Sequence, residues 1–470
     1  MRDTMHDQEN TDERKQRTTM ENRIMIPQYI LKILERFHGA GYEAFVAGGA
    51  VRDALSGEPP QDFDLCTSAL PSETAALFSD HKVIETGILH GTVTVMADGH
   101  PVEVTTYRSD GRYSDGRHPD QVRFVSSLRE DLARRDFTVN AMAWSPETGF
   151  IDYFGGREDL RRGILRCVGE PETRFSEDGL RIMRALRFLS VKGYQPDPLT
   201  REAMFRCSGM LQKVAYERID AELLRFLTTE RTAALLDEYR EIFAVLIPEL
   251  APMFDFDQKS PYHNRDVWHH TLAAVDFIRP DPQLRMTMLL HDVAKPVVYV
   301  EDENGRGHFK GHQQKGSETA DRILRRMRFP NAFREEIVTL VREHDLKLYA
   351  DRPLLRRCLN RLGETTLRKL LEVQMADASG KYEKYMTGTR NRIGEVRILL
   401  DRIVEEGDCV SLSSLAVDGG DLLRAGIPAG KTVGDILSWL LEAVMEDRIP
   451  NKKEQLLQAA RERAGLGIKE

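Results

Sequence analysis

One stretch, residues 45–65, constrains the fold of this chain more than any other part of its sequence. It contains an apolar run, a glycine pair, a short helical pattern and, near its end, Asp62-Phe63-Asp64. Residues i and i+2 of an extended strand point to the same face of a sheet. The sequence therefore predicts that Asp62 and Asp64 project together, while Phe63 turns into the core.

This pattern indicates a site for a nucleoside triphosphate. Two adjacent carboxylates repel each other unless a cation lies between them, and magnesium prefers oxygen ligands and often holds substrate phosphates as well. The pair Gly48-Gly49 precedes a helix, where exposed backbone N–H groups can contact those phosphates. Each feature alone is common in surface turns. Together, at this spacing, they favour a catalytic site in which Asp62 and Asp64 hold magnesium.

Length and composition predict a soluble cytoplasmic protein with several domains. The chain has 470 residues, enough for about two to four domains. We find no apolar run of membrane-spanning length and no apolar signal segment at the N-terminus. The five cysteines are scattered and form no Cys-x-x-Cys pair, which favours a reducing compartment. A net charge of −8 argues against a large nonspecific nucleic-acid surface.

The N-terminal third alternates helix and strand patterns. Residues 1–23 are polar and without periodicity, so we expect them to be disordered. Pro27 opens an amphipathic helix. Residues 83–107 predict three strands with a hairpin turn at 97–100. Residues 108–120, rich in Gly, Asp and Arg, predict a mobile loop.

Four further polar residues, in two parts of the sequence, are candidates for the same site. Glu103 lies in a predicted strand, where it either faces solvent or joins Asp62 and Asp64 as a third carboxylate. Arg135, Asp136 and Asn140 fall within six residues and would contact phosphates and ribose. The alternative for this second group is a helix cap around Asp136 and Thr138.

From residue 157 the pattern is helical to the C-terminus. Within the helix predicted over residues 177–188, Asp178 and Arg181 are three residues apart and share a face. An acceptor and a donor side by side would match the edge of a nucleobase. The alternative is a surface ion pair of little energetic value. Arginine exceeds acid between residues 157 and 187, which predicts either a phosphate-binding face or a solvated helix face.

Three ordered motifs resemble the class II tRNA nucleotidyltransferase and bacterial poly(A) polymerase family. They are Gly-Gly-x-Val-Arg-Asp with Asp62-x-Asp64, the segment Arg134-Arg135-Asp136-Phe137-Thr138-Val139-Asn140-Ala141, and Arg174-Phe175-x-Glu177-Asp178-x-x-Arg181. The resemblance covers residues 24–250 in detail. It resumes more weakly at residues 418–451.

The resemblance implies a role for each motif residue. Asp62 and Asp64 would bind two magnesium ions, one activating the tRNA 3′-hydroxyl and the other holding the triphosphate, with Glu103 completing the carboxylate set. The loop at 108–120 would couple to the switch from C to A addition. The implied nucleotide-binding residues are Gly48, Gly49 and Arg52 at the phosphates, Arg135, Asp136 and Asn140 near the ribose, and Asp178 and Arg181 at the base, with Arg184 as a further member.

A second group of polar residues lies between residues 260 and 380. Buried histidines and aspartates are costly unless they bind a metal or are paired. The group resembles the HD phosphohydrolase superfamily, which implies a divalent metal site and either phosphatase or 2′,3′-cyclic phosphodiesterase activity, or a purely structural helical body. His269 is an alternative to His270, and His263 and His308 receive no role. The implied metal ligands are His270, His291, Asp292 and Asp377, with His312 and His344 at a second metal or a substrate phosphate.

The sequence as a whole predicts an α+β protein. After a disordered segment at 1–23, the expected parts are a nucleotidyltransferase head with a mixed β-sheet at 24–150, a helical neck with the base-reading helix at 151–255, an HD domain at 256–380 and a helical tail that binds tRNA at 381–470.

The favoured function is template-independent addition of CCA to the 3′ end of tRNA with CTP and ATP. Rivals within the family are a poly(A) polymerase and an enzyme that adds only A or only C. A rival of another class is an HD phosphohydrolase with an RNA-binding head. No membrane partner is expected, and the oligomer, monomer or homodimer, is left open.

Overall fold

The computed structural model describes residues 25–110, 122–260 and 265–466. The chain divides into two compact units. The first runs to Arg231 and includes Tyr239–Leu246, and the second comprises Thr232–Glu238 and the chain from Ile247 onward. The finer division into head, neck, HD domain and tail stays a prediction. Across the described residues, no helix combines the length and apolar character needed to cross a membrane.

A seven-stranded sheet is the centre of the first unit. Its strands are β1 Ala44–Ala47, β2 Asp64–Thr67, β3 Val83–Ile84, β4 Thr92–Ala97, β5 His100–Thr106, β8 Met142–Ser145 and β9 Gly149–Asp152, and a separate pair is formed by β6 Arg108–Asp110 and β7 Val122–Phe124. The order across the sheet is β3-β4-β5-β2-β1-β8-β9. Strands β2 and β5 run parallel and the other neighbours antiparallel. The predicted mixed sheet is therefore confirmed.

Apolar clusters cover the sheet on two sides. Burial alternates residue by residue along β4 but is continuous along β1, as expected for a strand covered on both faces. One cluster joins Phe37 and Phe78 to the sheet, and the other contains Tyr107 and Leu132. The helices of this part are α1 Gln28–Gly39, α2 Gly49–Leu55, α3 Pro71–Leu77 and α4 Leu128–Ala133.

Two local predictions in this part have different outcomes. Between β4 and β5, Asp98 and Gly99 both have positive φ, 49° and 85°, as a tight two-residue hairpin turn requires. The predicted turn at 97–100 is thus confirmed. The predicted loop at 108–120 is wrong at its start, because residues 108–110 pair with β7 as a strand. The rest of that loop lies outside the described residues, as does the segment 1–23.

The remainder of the first unit is mainly helical. Its helices are α5 Gly156–Arg162, α6 Pro171–Glu177, α7 Leu180–Val191, α8 Pro198–Arg206, α9 Tyr216–Phe226 and α11 Arg240–Leu246. Helix α10, Thr232–Glu238, lies between α9 and α11 in the sequence but belongs to the second unit. The prediction of helix throughout is wrong at two short strands. These are β10 Ile164–Leu165, before α7, and β11 Gln195–Pro196, after it. The two strands pair in parallel.

The second unit is built mainly from helices. They are α12 Val267–Phe277, α13 Pro282–Leu290, α14 Lys295–Val298, α15 His312–Arg326, α16 Asn331–Glu343, α17 Arg352–Leu362, α18 Glu364–Ser379, α19 Glu383–Glu405, α20 Gly419–Arg424, α21 Lys431–Met445 and α22 Lys453–Arg463. Helix α12 packs on α18, and α13 packs on α16. The helical prediction is also wrong between α14 and α15, where β12 Val300–Glu301 and β13 Gly307–His308 form a hairpin.

The end of the second unit has an apolar cluster of its own. Helices α20, α21 and α22 bury Leu422, Leu440 and Leu456 completely. The preceding segment, residues 409–417, contributes Cys409 and Val417 to the same cluster. The expected helical tail therefore ends in a small packed bundle.

Candidate functional site

Three carboxylates meet where β2 lies beside β5. Phe63 is buried in the core, whereas Asp62 and Asp64 are both exposed, as the alternation predicted. The strand begins only at Asp64, so Asp62 precedes it. Asp64 is the register partner of Glu103 in the parallel ladder. The strand order therefore places Glu103 beside the pair rather than away from it.

The electrostatics of this group are those of carboxylates crowded together. Partial removal from water raises the pKa of Asp64, with Arg135 opposing and Asp62 adding to the rise. The pKa of Glu103 is raised by desolvation and by the charges of Asp64 and Asp62. A raised pKa means that the ionised form is disfavoured here, so a cation would relieve the repulsion.

The glycine pair forms the turn that leads from β1 into α2. Gly48 has φ of 77°, a conformation that favours glycine, and a side chain at this position would also meet the Arg135 guanidinium 2.6 Å away. Arg52 follows on the helix. Its guanidinium donates to Asp53 and, at 2.6 Å, to Oδ1 of Asn140.

Asp136 is the centre of a buried hydrogen-bond network. It accepts hydrogen bonds from Asn140 Nδ2 at 2.9 Å and Arg184 Nε at 2.8 Å, and from its neighbour's backbone N–H. Burial opposes ionisation, but Arg184 and Asn140 outweigh it and lower the pKa of Asp136 to about 2. Asn140 in turn accepts from Arg52. The network connects the glycine turn with α7 and makes Asp136 more than the helix cap weighed above.

The helix predicted over residues 177–188 is divided at Asp178. This residue is extended, with φ of −141° and ψ of 104°, and α7 begins only at Leu180. Asp178 accepts two hydrogen bonds from Arg218, at 3.3 and 2.8 Å. Arg181 instead donates to Glu177 at 2.6 Å and to two backbone carbonyls. The surface ion pair between Asp178 and Arg181 is therefore not formed, although both side chains line one cavity.

Gly179, within this break, has a close neighbour that leaves no room for a side chain. A Cβ there would lie 2.6 Å from the backbone oxygen of Met210. We expect Gly179→Ala to lower the free energy of unfolding by about 1–3 kcal/mol, the usual cost of overpacking. Gly209→Ala is the matched control, because its Cβ would meet nothing within 4 Å. Equal urea midpoints for the two variants would contradict the prediction.

A single cavity of about 510 Å³ collects most of the predicted nucleotide-binding residues. Eight arginines and three aspartates line it, which gives it the excess positive charge that suits a triphosphate. Arg218 and Arg225 were missed because they belong to no recognisable motif, and Arg134, Arg187 and Phe188 were not singled out although they flank motif residues. The predicted residues in its lining are Gly48, Gly49, Arg52, Asp64, Arg135, Asp136, Asn140, Asp178, Arg181 and Arg184.

Asp220, on α9 with two of the lining arginines, provides a test by pH. Its Oδ1 is buried without a hydrogen-bond partner among the described residues, and desolvation, with the Glu217 charge, raises its pKa to about 8. A raised pKa in the folded state means that its stabilising contribution is lost as pH rises from about 4 to 8. We expect Asp220→Asn to be more stable than wild type at pH 8.5 by about 1–3 kcal/mol and similar at pH 4. Urea unfolding at both pH values measures this difference, and a constant difference would contradict it.

The second unit brings four of the predicted HD residues together. His270 Nε2 lies 3.0 Å from Asp377 Oδ1, and His291 Nε2 lies 3.1 Å from Asp292 Oδ2. One atom from each of the four lies within 4.8 Å of the others, so the group can hold a metal ion. They come from the first turn of α12, the end of α13 and the last turn of α18. His269, the alternative to His270, is half exposed and pairs with Asp266, away from this group.

His312 and His344 form a second group with Asp292. Three histidines share one orientation: His291, His312 and His344 each donate Nδ1–H to a backbone carbonyl three residues earlier, at 2.7 to 2.9 Å. Each therefore directs Nε2 toward Asp292, and this nitrogen, once deprotonated, is the atom with which histidine can bind a metal. The carboxylate of Asp292 is buried and faces Nε2 of His291 at 3.1 Å and Nε2 of His312 at 3.6 Å, so these donors fit one or two divalent ions.

Cations surround the metal-binding group. Lys295 Nζ lies 2.7 Å from Asp292 and Lys381 Nζ lies 2.5 Å from Asp377, and with the histidines they hold the pKa of each aspartate well below its usual range. A cavity of about 580 Å³ opens here and is also lined by Arg306 and Lys310. Sequence reasoning missed these cations, although Lys295 follows Asp292 by one helical turn. His308 pairs with Asp302 at the cavity wall, and His263 lies outside the described residues.

Family models match three parts of the chain. Residues 44–166 match the Poly A polymerase head domain, and residues 193–254 match the "Probable RNA and SrmB- binding site of polymerase A". Residues 312–460 match the tRNA nucleotidyltransferase domain 2.

Two curated relatives of this chain are CCA-adding enzymes. A CCA-adding enzyme of Lacticaseibacillus paracasei is 33% identical over 437 residues, which cover 92% of this chain and 95% of that one. A CCA-adding enzyme of Ligilactobacillus salivarius is 41% identical over 246 residues, 51% of this chain; this match spans only about three fifths of the relative, 60%.

Solved structures agree with these relatives. A crystal structure of the Bacillus stearothermophilus CCA-adding enzyme in complex with CTP is 31% identical in sequence and has a TM-score of 0.65. The match covers 93% of this chain and 98% of that one. A Thermotoga maritima CCA-adding enzyme complexed with tRNA, 18% identical with a TM-score of 0.56 over 95% of this chain and 98% of that one, shares the fold. By its match over nearly the full length of such relatives, the chain belongs to the CCA-adding enzyme family of tRNA nucleotidyltransferases.

Proposed function

We propose that this chain adds CCA to the 3′ end of tRNA, using CTP and ATP and no nucleic-acid template. The observation that carries the proposal is the meeting of a carboxylate group with an arginine-lined cavity in the first unit. Family membership supports the substrates. The site's size, about 510 Å³, is within the range of pockets for nucleotide-sized ligands.

Asp62, Asp64 and Glu103 would hold two magnesium ions. The raised pKa values of Asp64 and Glu103 support this, because crowded carboxylates gain from a bound cation. Magnesium, when bound, supplies positive charge for the attacking 3′-hydroxyl and for the leaving pyrophosphate. The chain's own contribution is to fix Asp64 and Glu103 in register on adjacent strands, with Asp62 two residues before Asp64.

The triphosphate and ribose would lie along the glycine turn. Gly48 and Gly49 leave room for phosphate against the backbone, and Arg52 is held in place by its hydrogen bonds to Asp53 and Asn140. Arg135 stands beside Gly48 and supplies a further cation. Asp136, ionised and anchored by Arg184, orients the Asn140 amide toward the ribose.

Asp178 and Arg181 would select the base. Both line the cavity, and Arg184 lies on the same helix. In the structure Asp178 is occupied by Arg218, and Arg181 by Glu177. A base that reads Asp178 would either use the free acceptor positions of this carboxylate or displace the Arg218 guanidinium.

The decisive experiment supplies tRNA transcripts that end before CCA, after C and after CC. CTP and ATP are offered singly and together with magnesium, and the products are sequenced. Extension to CCA with a stop there is the expected result. A-only or C-only addition or long A tails would each replace the proposal with the corresponding rival activity, and no addition at all would favour an HD phosphohydrolase with an RNA-binding head.

A second candidate function is metal-dependent hydrolysis of phosphate esters at the HD site. It is favoured by one observation, the convergence of His270, His291, Asp292 and Asp377, since one donor atom of each lies within 4.8 Å of the others. Lys295 and Lys381 would neutralise a substrate phosphate. The tail at 381–470 would contact tRNA, and action in the cytoplasm fits the five cysteines, all present as free thiols.

A further inference from the structure

We propose that a second, smaller cavity beside the HD site binds adenine or cytosine through the exocyclic amino group N6 or N4. This inference rests on the proposed hydrolytic function, because it places the phosphate of the same molecule at the metal ligands. The two cavities share the residues that separate them. These are His344, Asp345, Asp377 and Lys381.

The smaller cavity has a volume of about 210 Å³. This is below the range of about 300–1,000 Å³ for complete ligand pockets, so it suits one flat ring rather than a whole nucleotide. The larger cavity holds the cations Lys295, Arg306 and Lys310. Cations in one cavity and space for a ring in the next match a nucleoside phosphate that extends along the four lining residues common to both.

Gln374 provides the feature that distinguishes one base from another. The residue is 5% exposed, and its Nε2 donates to the backbone carbonyl of Leu346 at 2.6 Å. That bond fixes the amide, because the flipped orientation would set two oxygens against each other. Oε1 is left buried, without a hydrogen-bond partner in the described part of the chain, in a residue that lines the cavity. It can accept a hydrogen bond but not donate one.

An acceptor at this position distinguishes the bases by their amino groups. Adenine N6 and cytosine N4 donate hydrogen bonds, whereas uracil presents a carbonyl oxygen at the equivalent place. This acceptor has no hydrogen-bond partner among the described residues of the free protein, so an amino group that donates to it adds affinity, whereas the carbonyl oxygen of uracil would be repelled by it.

Tyr349 and Arg392 supply a surface for stacking. The Tyr349 side chain is 53% exposed at the cavity, and the Arg392 guanidinium lies 6.0 Å from the ring centroid. Arg392 is held by its hydrogen bond to Leu348 O at 2.8 Å. Bases stack on aromatic rings and on arginine planes in RNA-binding sites. The lining thus includes a stacking surface and a residue with an unpaired hydrogen-bond acceptor.

The test is equilibrium binding by isothermal titration calorimetry in EDTA, with the full chain and no added metal. The probes are 3′-CMP, 3′-AMP and 3′-UMP. Binding at this cavity is identified as the part of the signal that changes on substituting Tyr349 or Gln374, which separates it from nucleotide binding in the first unit. We expect C and A to bind about tenfold or more tighter than U.

Two variants with matched partners complete the test. Tyr349→Ala is expected to weaken 3′-CMP binding about tenfold, and Tyr349→Phe, which keeps the ring, to leave it unchanged. Gln374→Met is expected to remove the preference over 3′-UMP. Equal affinities for the three nucleotides, or no effect of Tyr349→Ala, would overturn the inference.

Hydrolysis of p-nitrophenyl phosphate with added Mn²⁺ separates this inference from the function on which it rests. Turnover of this base-free ester with unselective nucleotide binding would uphold hydrolysis and overturn the base site. Selective binding without turnover would do the reverse. Short RNAs ending in A or U, compared with the free nucleotides, show whether the RNA 3′ end or a free nucleotide binds more tightly; a preference for A in either form supports the inference.

Discussion

Replacing Asp64 by Asn is expected to reduce nucleotide addition about 10³-fold or more while leaving the fold intact. Asp64 is the carboxylate that both borders the arginine-lined cavity and stands in register with Glu103. Removing one charged metal ligand forfeits several kcal/mol of charge stabilisation, and each 1.36 kcal/mol corresponds to a tenfold change in rate. The loss should appear in the rate with saturating CTP, measured on a transcript that lacks CCA.

The same variant, although it lowers activity, is expected to raise the stability of the metal-free protein. Because desolvation and Asp62 raise the pKa of Asp64, its ionised form costs folding free energy above that pKa, and the contribution is lost as pH rises. Asp64→Asn should therefore unfold at a higher temperature than wild type at pH 7 without metal. Added magnesium should stabilise wild type by mass action and have a smaller effect on the variant.

Asp98→Asn is the control for both measurements. Asp98 lies at the β4–β5 turn in the same unit, and its contact with Lys32 is exposed. An exposed pair contributes little, so this variant should match wild type in rate and magnesium response. If Asp64→Asn adds nucleotides at a rate close to that of wild type, the assignment of the metal site to Asp62, Asp64 and Glu103 is wrong.

The Asp62–Asp64 pair shows how far sequence reasoning reaches. The period of two along an extended segment was enough to place both carboxylates outward and Phe63 inward, as observed. It could not decide the position of Glu103, because that depends on which strands are neighbours. Only the order β5-β2-β1 and its parallel register settle the question.

The base-reading segment shows where local patterns fail. A continuous helix from Glu177 was expected, yet the helix is interrupted at Asp178. The reasons are remote in sequence: Met210 packs against Gly179, and Arg218 holds the Asp178 carboxylate. Neither contact leaves a periodic signal. In the second unit, by contrast, the histidine and aspartate types were informative in themselves, because such groups are rarely buried without ligands or partners.

Replacing Asp292 by Asn is expected to have the largest effect in the second unit. Asp292 belongs to both metal-binding groups, and Lys295, only 6% exposed, lies 2.7 Å from it. Removing one member of a buried ion pair leaves the other charge uncompensated, at a cost of about 3–5 kcal/mol. We expect a loss of that size in the free energy of unfolding of the metal-free protein, measured by urea denaturation.

The double variant Asp292→Asn/Lys295→Met separates this electrostatic effect from general damage. If the cost comes from the unpaired Lys295 charge, removing that charge should restore a large part of the lost stability. Asp345→Asn is the control at the same cavity, since Asp345 lines it but belongs to neither metal-binding group. A double variant no more stable than Asp292→Asn would contradict the ion-pair explanation.

Metal binding completes the prediction. Titration with Mn²⁺ should show affinity at the HD site lowered more than about 100-fold in the double variant and unchanged in Asp345→Asn, with hydrolysis of p-nitrophenyl phosphate lost in parallel. CCA addition should persist, because Asp62, Asp64 and Glu103 belong to the first unit. Asp64→Asn should show the reciprocal pattern, with addition lost and Mn²⁺ binding at the HD site kept. If either substitution abolishes both activities in a folded protein, the two sites do not act separately, and the assignment of one chemistry to each unit fails.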